Sequence, residues 1–210
     1  MTAGITVELG DAALAAAHRA AVCRMRHRVF SAPPFVASSA SMREYEALFD
    51  GYLREPGFGV ALALHSDRVV GFAYCHRLSA DHRWWEGFPG GVPEDLSAEW
   101  EGRTCTLVDL AVEESRRRTG VGRMLVDSLL STRREERALL SAQPTAAAAH
   151  AFYRATGWEL VGRKGPIPGV VPPYWDIYLR RIPREEGSAH PVARPPAPGR
   201  RGAGGAGPRG

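Results

Sequence analysis

The chain has 210 residues and a formal net charge of +4. Five arginines and two glutamates lie after residue 182, so the preceding part carries a net charge of only about +1. This near-neutral balance argues against a nucleic-acid-binding domain with a broad basic face. Contact between nucleic acid and the basic C-terminal segment stays open as a hypothesis.

Three cysteines, Cys23, Cys75 and Cys105, are far apart in the sequence and show no metal-ligand spacing. We therefore expect no metal cofactor, reduced thiols and a cytoplasmic location. The N-terminal residues lack the pattern of a signal peptide, and no apolar run is long enough to span a bilayer, so no membrane partner is expected.

Residues 183–210 contain almost no large apolar side chains and are rich in proline, glycine and arginine. Such a segment buries too little surface to offset the entropy of ordering, and we predict that it is disordered. Residues 1–182 are then predicted to form one domain of ordinary size.

Periodicity and turn residues predict eleven elements in the order β-α-α-β-β-β-α-β-α-β-β. Asp11 is the predicted N-cap of a helix that reaches Val29. A loop over 31–40 and a tryptophan-rich insertion over 80–102 interrupt the regular pattern. The strands and helices that bear on function are predicted over 59–65, 69–77, 104–112, 138–142, 145–156, 158–162 and 174–180. A further helix is predicted after the turn, with a buried stripe from Val121 to Leu129.

A phosphate-binding turn is predicted between the 104–112 strand and the following helix, because free amides and the helix dipole favour an anion there. The turn carries Arg-x-x-Gly-x-Gly from Arg117 to Gly122. It lacks the Gly-Lys-Ser/Thr of the nucleotide-triphosphate loop, and Leu125 stands where the dinucleotide fingerprint needs a third glycine. An ordinary arginine-rich surface turn is the alternative interpretation.

The Arg-x-x-Gly-x-Gly turn resembles the pyrophosphate-binding signature of the GNAT superfamily of acyl-CoA-dependent N-acetyltransferases. A second similarity is Phe152-Tyr153 followed by Gly157-Trp158, and the element order agrees over Ile5–Ile182. The resemblance implies an α/β (α+β) fold with a twisted mixed sheet of six to seven strands flanked by helices. Its two central parallel strands, here 104–112 and 138–142, would splay apart and admit the acyl-CoA.

The resemblance also implies a cofactor site and a catalytic acid. Pantetheine would hydrogen-bond to the backbone of Leu110, Ala111 and Val112. Tyr153 would protonate the leaving thiolate, or would be a core aromatic with a satisfied hydroxyl. The pyrophosphate would be held by Arg117, Arg118, Thr119, Gly120, Val121, Gly122 and Arg123.

Asp109 is the candidate that orients or deprotonates the acceptor amine, directly or through water, because a carboxylate in an apolar strand tends to have a raised pKa. A structural aspartate bonded to neighbouring backbone is the equal alternative. His76 and His82 are weaker candidates. Cys105 has no visible histidine partner, which favours direct attack in a ternary complex over a covalent route.

The predicted function is acetyl transfer from acetyl-CoA to a primary amine of a small molecule or peptide; a homodimer is left open. The segment 145–150 lacks the asparagine that many superfamily members carry before this helix. A non-catalytic acyl-CoA-binding or regulatory module is therefore the alternative. The insertion, with its acids and tryptophans, either contacts a cationic, partly apolar amine or is anchored by those tryptophans.

Overall fold

The computed structural model describes residues 4–35 and 39–183. Residues 36–38 of the predicted 31–40 loop lie outside the described residues. The same holds for residues 184–210, so the disorder predicted from Pro183 onward stays a prediction for them. No helix in the described ranges is both long and apolar enough to cross a lipid bilayer.

Seven strands form one mixed sheet in the order β1-β2-β3-β4-β5-β7-β6. The strands are β1 (Ile5–Gly10), β2 (Gly59–His65), β3 (Arg68–Arg77), β4 (Thr104–Val112), β5 (Arg137–Ala142), β6 (Glu159–Lys164) and β7 (Trp175–Arg181). The helices are α1 (Ala12–Ala17), α2 (Arg19–Phe30), α3 (Ser39–Tyr52), α4 (Glu94–Ser97), α5 (Val121–Ser131) and α6 (Ala147–Ala155). The predicted mixed sheet with flanking helices is confirmed.

The single helix predicted from Asp11 to Val29 is wrong in one respect, because it is broken at His18. Asp11 is the N-cap, and its side chain accepts from the N–H of Ala13 at 2.9 Å. His18 leaves helical geometry at φ −101° and ψ 8°. The break lets α1 pack on β1 and β2 while α2 packs on β3 and β4, which lie in a different direction across the twisted sheet.

The two faces of the sheet are covered differently. One face packs against α5 and α6 through a cluster that includes Leu125, Leu129 and Tyr178. The opposite face is covered in two separate parts. Helices α1–α3 cover the β2–β4 side, and the 80–102 insertion covers Leu139, Ile177 and neighbouring residues on the β5–β7 side.

The two central parallel strands part along their length. Strand β4 pairs with β5 only from Thr104 to Thr106, and the last partner of Thr106 is Leu139. Strand β5 stays paired with β7 as far as Ala142. The remaining two-thirds of β4 therefore has a partner on the β3 side alone, and the splayed central strands expected from the sequence are confirmed.

Candidate functional site

The C-terminal part of β4 has one unpaired edge, which faces the gap between β4 and β5. Leu110, Ala111 and Val112 pair with β3 on one side and with no strand on the other. Backbone amides and carbonyls on the open side need partners, and an extended ligand with its own amides can supply them. The three residues predicted to bind pantetheine thus lie along this edge.

A β-bulge in β4 determines on which face of the sheet the Asp109 side chain lies. Tyr74 of β3 pairs with Asp109, whereas Cys75 pairs with Leu107, so Val108 is an extra residue in β4. Without it, the two-residue alternation of the strand would put Asp109 on the opposite face. With the bulge, Asp109 lies on the same face as Tyr74, the face covered by α1–α3.

Asp109 is held by two donors. Its Oδ2 accepts from Nε of Arg26 and from the hydroxyl of Tyr74, each at 3.0 Å. The Arg26 guanidinium stacks on the ring of Tyr45 at 3.6 Å, and the Tyr45 and Tyr74 hydroxyls are 3.2 Å apart. Burial raises the pKa of Asp109, while Arg26 and the tyrosine hydroxyls act against that rise.

The turn between β4 and α5 leaves the backbone N–H groups at the N-terminus of α5 accessible. Arg118 and Gly120 both have left-handed backbone conformations, with φ of 62° and 97°. Gly120 is the N-cap and gives no side-chain cap. Within the described part of the chain, the N–H groups of Val121, Gly122 and Arg123 have no hydrogen-bond acceptor, as expected for a first turn. Left-handed residues beside free amides form the concave arrangement that binds anions.

The polar side chains of this turn have defined positions. Arg117 donates from Nε to the carbonyl oxygen of Val112 at 3.2 Å, and the Thr119 hydroxyl donates to the carbonyl of Arg116 at 2.7 Å. Arg123 donates to the carbonyl of Ala155 at 2.6 Å, at the C-terminal end of α6. Arg118 is exposed beside the free amides.

Gly122 has a packing role that the sequence analysis did not expect. A Cβ at this position would lie 3.3 Å from Cε2 of Phe152 in α6. The absence of a side chain therefore leaves room for the Phe152 ring against the backbone of α5.

Tyr153 lies on the α5–α6 side of the gap, opposite Asp109. Its ring packs against Tyr178 and Trp158, with centroids 5.5 and 6.0 Å away. Burial raises the pKa of Tyr153, and the negative charge of Asp109 raises it further. The phenol therefore keeps its proton at neutral pH, which a general acid requires.

Several residues around the site were missed by the sequence analysis. Arg26 and Tyr74 reach Asp109 from sequence distances of 83 and 35 residues. Buried His150 lies one turn before Tyr153 on α6; its Nε2 is 3.0 Å from the carbonyl oxygen of Gln143, and its Nδ1 is 2.8 Å from the Tyr178 hydroxyl. No local motif marks these long-range pairs, and only the three-dimensional fold brings them together.

Cys105 lies away from the gap and is fully buried. It neighbours the buried thiol of Cys75, which the sequence spacing did not indicate. The Cys105 thiol has no exposed surface, which agrees with the preference for direct attack over a covalent route.

The insertion is anchored by its aromatic residues and by one buried acid. Glu99 accepts from Trp85 Nε1 at 2.9 Å, from the Thr104 hydroxyl at 2.7 Å and from Arg137 Nη2 at 2.6 Å. Lys164 Nζ donates to the carbonyl of Trp84 at 2.7 Å. The alternative in which the tryptophans anchor the insertion is therefore the one observed, and Glu99 is unavailable to a cationic amine.

A mixed sheet with a splayed parallel pair, leading to an open helix N-terminus, matches the fold of solved acetyltransferase structures. The model of the acetyltransferase (GNAT) family matches residues 22–158, about two-thirds of the chain. The chain therefore belongs to the GNAT acetyltransferase family. No curated protein shows significant sequence similarity to it.

Solved structures share this fold at low sequence identity. The chain is similar to a GNAT-family acetyltransferase from Desulfovibrio desulfuricans, with 17% identity, a TM-score of 0.56 and coverage of 85% of this chain and 99% of that one. It is also similar to the ribosomal-protein-S18-alanine N-acetyltransferase of Escherichia coli, with 16% identity, a TM-score of 0.58 and coverage of 89% and 99%. A third similar structure is an aminoglycoside N-acetyltransferase in complex with CoA, with 15% identity, a TM-score of 0.52 and coverage of 75% and 89%.

Proposed function

We propose that the protein transfers an acetyl group from acetyl-CoA to a primary amine of a small molecule or peptide. The observation that carries this proposal is the continuity between the open edge of β4 and the uncapped first turn of α5. Pantetheine pairs with the backbone of Leu110, Ala111 and Val112, and its pyrophosphate occupies the turn that follows.

In this proposal the pyrophosphate lies beside Gly120, against the free amides of Val121, Gly122 and Arg123. Thr119 stabilises the turn through its bond to the Arg116 carbonyl. The exposed guanidinium of Arg118 supplies positive charge, and Arg117 and Arg123 add more without leaving their carbonyl partners. Glycine at position 120 keeps the backbone accessible to phosphate.

The chemistry is direct attack in a ternary complex. The neutral amine attacks the thioester carbonyl carbon, the C–S bond breaks, and the sulfur leaves as a thiolate. Tyr153 donates its phenolic proton to that thiolate. Asp109, on the other side of the gap, orients the incoming amine or takes its proton, directly or through water.

Two of the similar proteins are named for their acceptors, which gives two acceptor classes to test. One class is a peptide with a free N-terminal alanine, and the other is an aminoglycoside. The cytoplasmic location expected from the cysteines is part of the same proposal, and all three thiols are free in the structure.

The experiment combines acetyl-CoA binding with turnover by the full-length protein. The acceptor panel contains an alanine-starting hexapeptide, a peptide with an internal lysine, spermidine and kanamycin. Release of CoA thiol together with a mass increase of one acetyl group on an acceptor is the expected result. Binding of acetyl-CoA without thiol release on any acceptor would contradict acetyl transfer and favour the non-catalytic module. Absence of acetyl-CoA binding would contradict both.

A further inference from the structure

The ammonium group of an acceptor must lose a proton before it can attack, and Asp109 is poorly placed to take it. Arg26 and Tyr74 both donate to the same oxygen of Asp109, Oδ2. The Arg26 guanidinium that pairs with it is fixed by the Tyr45 ring. Protonating the carboxylate would therefore cost a partly buried ion pair. Asp109 is better suited to orienting the amine than to accepting its proton.

His76 offers a proton acceptor on the same face of the sheet. Its Nδ1 is 2.8 Å from the carbonyl oxygen of Arg77. A carbonyl can only accept, so Nδ1 carries the hydrogen and Nε2 carries the lone pair. The ring stacks on Tyr52, with centroids 5.7 Å apart and planes 24° apart, which fixes its orientation. An oriented imidazole with a free Nε2 is the arrangement of a general base.

The register of the sheet places His76 beside the base of the gap. His76 pairs with Thr106, and Thr106 is the last residue of β4 that pairs with β5. Two residues earlier in β3, Tyr74 pairs with Asp109. Side chains two residues apart on a strand share a face. His76, Tyr74 and Asp109 therefore line one side of the sheet where the strands separate.

We propose that Nε2 of His76 is the catalytic base that takes the proton of the acceptor ammonium. This inference rests on the proposed acetyl transfer. The neutral amine then attacks the thioester, the C–S bond breaks and Tyr153 protonates the sulfur. The second proton on the attacking nitrogen returns to the Tyr153 phenolate, and the proton on His76 is released to solvent. Asp109 orients the amine during these steps.

The surroundings of His76 keep the imidazole neutral and ready to accept. Its side chain is buried, with 8% of the residue exposed. Burial lowers the pKa of His76, its hydrogen bond to Arg77 raises it, and three charged or titratable groups modify it. Glu55, after α3, raises the pKa, whereas His82 of the insertion and Arg133 after α5 lower it.

The test compares His76→Asn with the control His27→Asn, at an exposed position of α2, in the full-length protein. Asparagine retains a donor for the Arg77 carbonyl and lacks the basic nitrogen. With acetyl-CoA and the best acceptor of the panel, we expect kcat of His76→Asn to fall about 100-fold. The KM for acetyl-CoA and the melting temperature should change little. His27→Asn should match the parent protein.

The pH dependence separates a base from a merely structural residue. The parent kcat should be nearly flat between about pH 7 and pH 9, whereas kcat of His76→Asn should rise roughly tenfold per pH unit because only free amine can react. A kcat within threefold of the parent, or a variant profile parallel to that of the parent, would overturn the assignment of His76. A parent protein that acetylates no acceptor would instead refute the proposed function.

Discussion

Replacement of Gly120 by glutamate tests the placement of the pyrophosphate, and Gly120→Ala is the matched control. Gly120 has φ 97°, a conformation that disfavours any side chain. The strain costs about 1–2 kcal/mol in either variant. For a protein of this size, that corresponds to a fall in melting temperature of about 2–8 °C. Both variants should show this fall because the strain comes from the backbone.

Only glutamate adds a negative charge beside the phosphate. Two unit charges about 5 Å apart interact by about 3 kcal/mol at an effective dielectric constant of about 20. Gly120 is exposed, so solvent reduces the repulsion to about 1–2 kcal/mol. The dissociation constant of acetyl-CoA for Gly120→Glu should therefore exceed that of Gly120→Ala by about 5- to 30-fold.

Isothermal titration calorimetry at about 0.1 M and about 1 M salt measures this difference. The Debye length falls from about 10 Å to about 3 Å across that range, so the ratio of the two dissociation constants should shrink toward one. Equal affinities of the two variants at low salt would refute a diphosphate at the N-terminus of α5. A ratio that does not change with salt would assign the loss to steric exclusion and would also contradict the electrostatic argument.

Three further predictions concern the two sides of the gap. Tyr153→Phe should lower kcat about 100-fold in the thiol-release assay and leave the calorimetric affinity for acetyl-CoA unchanged; an unchanged kcat would remove Tyr153 as the acid. Arg26→Met should lower the free energy of unfolding by about 2–4 kcal/mol at neutral pH, because Asp109 is left buried without its cation. This loss of unfolding free energy should shrink as the pH falls and Asp109 takes a proton. Urea unfolding at several pH values measures it. A loss that stays constant with pH would contradict a role for the ion pair. Because the pKa of His76 is lowered in the folded state, the unfolded chain binds more protons below about pH 6.5. As the pH falls below about 6.5, the free energy of unfolding of the parent protein should therefore decrease by up to about 1.4 kcal/mol per pH unit, and that of His76→Asn should decrease less. Identical pH dependence of the two urea unfolding curves would show that burial of His76 does not affect stability.

The sequence predicted the fold well wherever local patterns determine structure. The two runs joined at residues 66–68 indicated the β2–β3 hairpin, and the glycine-containing turn before the apolar stripe of α5 indicated the strand–turn–helix unit. The splayed strands followed from the resemblance, since no local pattern distinguishes a splayed strand from a paired one. The break at His18 was missed because it depends on which strands each helix contacts.

The candidate site could be predicted only in part, for a physical reason. Backbone-based features, such as the open edge of β4 and the uncapped turn at Gly120, depend on local conformation and can be predicted from short sequence motifs. Side-chain pairs such as Arg26 with Asp109 depend on tertiary packing over 83 residues. A lone histidine such as His76 also gives no signal until its tautomer and neighbours are known.

The bulge at Val108 connects the architecture with the proposed chemistry. One additional residue in β4 turns Asp109 toward α1–α3, while Leu110 and Val112 still pack toward α5 and α6. The strand separates from β5 two residues before this bulge, so the extra twist of a bulged strand and the loss of a partner occur together. The Tyr153 phenol then lies on one face of the sheet, and the Asp109 carboxylate and the His76 imidazole lie on the other. In the proposed chemistry, the acid for the leaving sulfur and the base for the ammonium of the acceptor therefore lie on separate faces of the parted sheet.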